Sequence, residues 1–249
     1  MKVYFIGAGP GAADLITVRG ARLLAACPVV LYAGSLVPPA LLQYCRADAT
    51  LINTAPLTLD EQEAWFLKAR QENRDVARLH TGDPALYGAI AEQMQRLRRH
   101  GIDYEIVPGV SSFLAAAAAL GVELTQPETA QTVIITRTAG RTPMPPGEQL
   151  AALAQHRATL CLFLSGRQLA DVVSELKPIY GDATPIALVH KVSQPEQRIV
   201  CGTLADILQR AADWDWSLTT LILVGAALGA GEVPESRLYA GDFTHGQRG

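Results

Sequence analysis

Leu79-His80-Thr81-Gly82-Asp83-Pro84-Ala85-Leu86-Tyr87-Gly88 decides how this chain is read, because it stands between two other loops of the same glycine- and proline-bearing kind. The earlier one is Gly7-Ala8-Gly9-Pro10-Gly11-Ala12-Ala13-Asp14, after the apolar run Val3-Tyr4-Phe5-Ile6, and the later one is Val107-Pro108-Gly109-Val110-Ser111-Ser112. Each follows a strand candidate. Strands of a parallel sheet lie side by side, so loops leaving their carboxyl ends meet on one edge and can serve one ligand.

Outward from these loops, short apolar runs alternate with amphipathic stretches. Strands are expected at residues 3–6, 29–32, 76–80 and 104–107, and helices at 15–26, 59–72, 85–100 and 112–120. This is the alternation of a parallel sheet covered by helices. The polar, proline-bearing stretch Gly121-Val122-Glu123-Leu124-Thr125-Gln126-Pro127-Glu128-Thr129 interrupts the periodicity and reads as a connection between domains. Beyond it strands are expected at 132–136, 159–164, 185–190, 197–202 and 220–224, with helices at 147–155, 168–179 and 204–212. There the strands follow one another more directly, which implies a mixed sheet. The fold class is therefore α/β, in two domains: residues 1–120 with a largely parallel sheet and 121–249 with a mixed one, and the ligand cleft between them. The tail from Gly241 is expected to fray. The helix at 112–120 is almost pure Ala and Leu, so it should be buried or lie against another chain.

Composition excludes several classes. With 18% charged residues and a formal net charge of -3, the chain carries no basic field to attract nucleic acid. Cys27, Cys45, Cys161 and Cys201 form no CxxC pair and the five histidines show no ligand spacing, so no metal is expected. The sequence opens into a strand rather than an export signal, and its apolar runs fall short of the roughly 20 residues that span a bilayer. A cytoplasmic protein is expected. The first loop opens like a dinucleotide-binding unit, yet no Asp or Glu lies between Asp14 and Asp48 to hold a ribose hydroxyl, and Pro10 stiffens the turn. A nicotinamide-dependent oxidoreductase is the different-class alternative, and this chain lacks its acid.

Asp83 reads first as a turn residue capping a helix that begins near Pro84, although loops of this kind also carry sites. His80, at a strand end, is either a pocket residue or a satisfied core histidine. Arg96, Arg98 and Arg99 read as a solvated helix end favoured by the dipole.

Taken in order, Ile6–Gly11 with Asp14-Leu15-Ile16-Thr17, then Gly82-Asp83-Pro84, then Val107-Pro108-Gly109 resemble the tetrapyrrole methyltransferases, over essentially the whole chain to about Gly229. Leu31-Tyr32-Ala33-Gly34-Ser35-Leu36-Val37 and Gln131–Arg137 with Gly140-Arg141-Thr142-Pro143 are similar to members that act on the corrin ring in cobalamin synthesis. Ala33 stands where sirohaem-branch members carry an acid, which argues against that branch. The resemblance implies S-adenosyl-L-methionine as cofactor, S-adenosyl-L-homocysteine as its product, a corrinoid tetrapyrrole as substrate and a homodimer. Pro10 matches the family's cofactor proline; Thr81, Gly82 and Asp83 match its ribose and methionine contacts, Leu86 an apolar contact and Ser111-Ser112 a polar pair. Leu164, Val192 and Ala226 fall near adenine contacts. Such an enzyme works mostly by alignment. If a proton must leave the ring, His80, Asp83 or Tyr87 could take it, and the sequence does not choose. The substrate's carboxylates direct attention to arginine: Arg141 first, in its Gly- and Pro-rich loop, then Arg137, Arg19 and Arg167, with Lys191 behind them. Within the family a different ring carbon is the alternative, and a non-catalytic tetrapyrrole carrier is a further class.

Overall fold

The computed structural model describes residues 1–34, 36–140, 142–229 and 231; Arg141 and the tail beyond Gly241 lie outside the described residues. The chain divides into two compact units, Met1–Ala115 with Val192–Pro195, and Ala116–Lys191 with the residues from Glu196 on.

The first unit holds β1 (Lys2–Gly7), α1 (Val18–Ala26), β2 (Val29–Tyr32), β3 (Thr50–Asn53), α2 (Leu59–Gln71), β4 (Val76–His80), α3 (Ile90–Arg99), β5 (Asp103–Val107) and the start of α4 (Ser112–Leu120). Its sheet runs β3-β2-β4-β1-β5, every pair parallel. One face packs Val3, Phe5, Leu31 and Val76 against Phe66 of α2 and Leu97 of α3. The other packs Ile6, Val30, Ala77 and Leu79 against Leu24 of α1 and Leu41. Burying each such side chain contributes roughly 1.5–3 kcal/mol. Near-continuous apolar strands are what a sheet covered on both sides requires. The register places Gly7 beside His80 and Ile6 beside Val107, so β1, β4 and β5 end level.

Local chemistry fixes the helix starts. Thr58 and Glu61 form a reciprocal capping box at α2, and the Thr17 hydroxyl accepts the Gly20 N–H at 3.1 Å at α1. The expected helix at 15–26 begins instead at Val18, after a 3-10 turn at Ala13–Leu15. The expected helix at 85–100 begins only at Ile90, because Tyr87 and Ala89 adopt left-handed φ values of 55° and 50°. Asp83 accordingly caps no helix at Pro84: its Oδ1 accepts the Ala85 N–H at 2.8 Å and closes a turn. β3 escaped the periodicity argument, being four residues long at the sheet edge with Leu51 exposed.

The second unit holds β6 (Val133–Arg137), α5 (Leu150–Ala154), β7 (Thr159–Phe163), α6 (Leu169–Tyr180), β8 (Pro185–His190), β9 (Arg198–Thr203), α7 (Ile207–Arg210) and β10 (Thr220–Val224). The order is β6-β7-β10-β8-β9, with β6 and β7 parallel and the remaining pairs antiparallel. Two helices are shorter than expected. Pro145, Pro146 and Gly147 (φ 85°) keep α5 from starting before Leu150. The Asp206 carboxylate accepts the Thr203 N–H at 2.6 Å, so a turn occupies the place of the first turn of α7. Among the described residues no helix is long and apolar enough to cross a membrane.

A methyl group added at Gly109 would stand 2.2 Å from the Gly82 carbonyl oxygen and 2.7 Å from Gly7 Cα, whereas one at Gly140 would meet nothing within 4 Å. We expect Gly109→Ala to destabilise the first unit by about 2 kcal/mol or more and Gly140→Ala to be close to neutral, read by urea unfolding; equal effects would show that the close approach is not what constrains the loops.

Candidate functional site

The three loops at the carboxyl ends of β1, β4 and β5 are held backbone to backbone. Gly9 and Gly82 form an antiparallel bridge: the Gly82 N–H reaches the Gly9 carbonyl at 2.8 Å, and the Gly9 N–H returns to Gly82 at 3.3 Å. The Ala8 N–H reaches the His80 carbonyl at 2.7 Å. Both of these glycines take positive φ, 79° and 64°, which a side chain would disfavour. Asp83 ties in the third loop, its Oδ2 accepting the Gly109 N–H at 2.9 Å. One carboxylate therefore fixes its own turn and the neighbouring loop.

A fourth segment joins from far along the chain. Val192–Pro195 follows β8 yet belongs to the first unit, and the Ser193 hydroxyl accepts the Ala12 N–H at 2.9 Å. A side chain at Gly11 would strike Gln194 and the Val192 carbonyl. This segment was expected only as a contact at Val192; that it docks on the first loop had no sequence signal beyond Gly11 itself.

Pro10, Gly82, Ser111 and Val192 are buried, and Thr81, Asp83, Leu86 and Ser112 are half-buried around this cluster. Tyr87 is exposed on the strained turn before α3. His80 is 6% exposed and stacks obliquely on Phe5, with ring centroids 5.8 Å apart. Burial pushes its pKa down to about 3, aided by the charge of Arg78 and opposed by a backbone hydrogen bond at Gly88. His80 Nε2 and Thr81 Oγ1 are buried and find no hydrogen-bond partner among the described residues. Buried polar atoms are rarely left so.

The remaining expected residues are described within their own units. Arg19, on α1, is 3.8 Å from Glu105 of β5. In the second unit, Leu164 follows β7 with φ 55° and is 74% exposed, and Ala226 is exposed after β10. Arg137 donates to the carbonyls of Thr138, Thr142 and Pro143, shaping its own loop. Thr138 and Ser165 bond at 2.9 Å and join the loops after β6 and β7, a link sequence reasoning missed. Arg167 is exposed, and Lys191 lies 3.9 Å from Glu196. Among the described residues no group of His, Cys, Asp and Glu is arranged to hold a metal ion.

The model of the tetrapyrrole (corrin/porphyrin) methylases matches residues 2–208. The chain belongs to that family. A precorrin-4 C(11)-methyltransferase from Pseudomonas aeruginosa is 53% identical over 245 residues, covering 98% of each chain. Among solved structures, a cobalt-precorrin-4 methyltransferase of cobalamin biosynthesis is 45% identical with a TM-score of 0.88, over 92% of this chain and 96% of that one. A uroporphyrin-III C-methyltransferase from Thermus thermophilus in complex with S-adenosylhomocysteine is 28% identical with a TM-score of 0.76, over 92% and 99%.

The depressed pKa of His80 has a consequence for stability. The folded state binds the proton later than the unfolded chain, whose histidine titrates near 6.5, so this contribution is intact above that value and is lost as pH falls toward about 3. Between about pH 7 and pH 5 the loss is about 2 kcal/mol. We expect urea unfolding across this range to show that limb, and His80→Gln to remove it; an unchanged limb in the variant would place the titrating group elsewhere.

Proposed function

We propose that the protein is an S-adenosylmethionine-dependent C-methyltransferase that adds a methyl group to C11 of precorrin-4, giving precorrin-5, in cobalamin biosynthesis. The observation that carries a ligand at this edge of the sheet is the pair of buried, unsatisfied atoms His80 Nε2 and Thr81 Oγ1 beside the glycine cradle. The ring carbon comes from the full-length relative named for it, 53% identical. The cobalt-bearing form of the same ring is the second reading, favoured by the solved relative at 45% identity.

The residues present fit the cofactor. Pro10, Thr81, Gly82, Leu86 and Ser111-Ser112 offer backbone and hydroxyl groups with little charge, which suits a cationic, amino acid-bearing nucleoside better than a pyrophosphate. When bound, S-adenosylmethionine supplies a methyl group already activated on sulfur. Transfer of that methyl to a ring carbon would leave the sulfur–methyl electron pair with the departing thioether and one ring proton to be taken up. Among the three candidate acceptors, Asp83 spends both oxygens on the Ala85 and Gly109 amides. His80 presents an open lone pair at Nε2, but its depressed basicity makes it a better hydrogen-bond acceptor than a store for a whole proton. We assign it the holding of a ligand N–H, with the proton passing on to water. The carboxylates of the substrate fall to Arg167, and to Arg141, Arg137, Arg19 and Lys191 from the sequence argument. Leu114, Ala118 and Ala119 on α4 leave an apolar face exposed, consistent with a homodimer.

Calorimetric titration with S-adenosylhomocysteine, with NAD as control, tests the cofactor. We expect binding of the first alone, weakened by about tenfold or more in Asp83→Asn, which loses one of two charge-assisted bonds to backbone N–H. Binding of NAD alone, or of neither, would overturn the reading. NMR of the methylated ring then identifies the carbon.

A further inference from the structure

Two residues before His80 on the same face of β4, Arg78 is 5% exposed, as deeply buried as the histidine. Its three hydrogen bonds among the described residues all go to neutral oxygens: Nε to Gln93 Oε1 at 3.3 Å, Nη1 to the Leu79 carbonyl at 3.1 Å and Nη2 to Gln62 Oε1 at 3.2 Å. A buried guanidinium normally has a carboxylate. Here the two glutamines that meet it are themselves pinned. Gln62 donates to the Leu57 carbonyl, and Gln93 donates to the Ala89 carbonyl, in the turn that also presents Gly88 to the His80 ring.

Among the described residues no carboxylate pairs with this positive charge. Phe5 of β1 is apolar, and Gln62 and Gln93 are what α2 and α3 bring to the guanidinium. Asp83 is committed to two amides. The ionic groups farther along α2 and α3 answer one another, Arg96 with Asp60 and Glu63, and Glu63 with His100 at 2.6 Å. A fold needing only to bridge α2 and α3 could use an apolar or a paired side chain here at lower desolvation cost.

We propose that Arg78 is a positioning residue that acts through His80: an unpaired buried guanidinium, aligned by Gln62 and Gln93, reinforces burial in keeping the neighbouring imidazole uncharged and its Nε2 open to accept from the ligand. The inference rests on His80 belonging to the site. It assigns the neutral partners of Arg78 a purpose, since a carboxylate at either position would offset the guanidinium's share, beside burial, in suppressing protonation of the imidazole.

The test reads the imidazole directly, by NMR of nitrogen-labelled protein with His80 assigned through His80→Gln. Three variants separate charge from shape: Arg78→Met removes the charge, Arg78→Lys keeps it, and Gln93→Glu keeps the guanidinium while placing a carboxylate against it in a nearly isosteric side chain. Gln93→Glu carries the test if Arg78→Met does not fold. We expect the protonated fraction of His80 near pH 5 to rise by about tenfold for each unit its midpoint moves up, in Gln93→Glu and Arg78→Met but not in Arg78→Lys. An unmoved midpoint in Gln93→Glu, or equal movement in Arg78→Lys and Arg78→Met, would overturn the proposal. The acid limb of kcat/KM for methyl transfer should move to higher pH with the midpoint in Gln93→Glu. A shifted midpoint with an unshifted limb would leave the coupling of Arg78 to His80 standing and remove His80 from the chemistry.

Discussion

Three glycines meeting without side chains set the geometry on which the rest of the first unit depends. The register of β1 against β4 and β5 sets Gly7 beside His80 and Ile6 beside Val107, so the loops beyond the strand ends run against one another. Gly109 lies so close to the Gly82 carbonyl and to Gly7 that a single methyl group would overlap both. Contact of this kind leaves peptide groups, rather than side chains, lining the edge of the sheet. Asp83 makes the arrangement rigid by accepting amides from its own turn and from the third loop. A site made of peptide dipoles needs no charged residues of its own, which accounts for the sparse charge in all three motifs.

The same sparseness governs the electrostatics beneath the loops. Surface pairs such as Lys2 with Glu105, at 2.7 Å, are solvated and screened, and contribute little. Arg78 and His80 sit in a different medium, where desolvation lowers the guanidinium to about 10 and drives the imidazole to about 3. In that setting a histidine is a fixed neutral group across the physiological range. Its direction is set by Phe5 and the Gly88 backbone rather than by titration.

Sequence legibility followed the length over which a rule operates. Parallel and mixed sheets were legible because their strands are apolar runs of four to six residues bounded by glycine or proline, and β2, β4, β8 and β10 have the bounds expected of them. β3 was not, since four residues with one exposed leucine offer no period. The start of α3 was misjudged because Asp83-Pro84 is a sound helix opening by local rules. The carboxylate was drawn instead to an amide 26 residues away, and Tyr87 and Ala89 were turned left-handed. The loops of the site were legible as motifs. Their locks were not, because Asp83 to Gly109, Arg78 to Gln93 and Ser193 to Ala12 are pairings between distant segments that no spacing announces.

The first loop shows how a shared pattern reaches a different chemistry. A dinucleotide site needs the last amides of its glycine loop unspent and a helix amino terminus aimed at the pyrophosphate. Here the Ala12 N–H is taken by the Ser193 hydroxyl, and the space over Gly11 is filled by Gln194 and the Val192 carbonyl. A 3-10 turn at Ala13–Leu15 and the cap at Thr17 then delay α1 to Val18, so its dipole opens seven residues past the last glycine. Ala33, at the end of β2, offers no carboxylate for a ribose. The glycines serve to bring backbone against backbone, and the loop that resembles a phosphate cradle is closed to phosphate by the segment after β8.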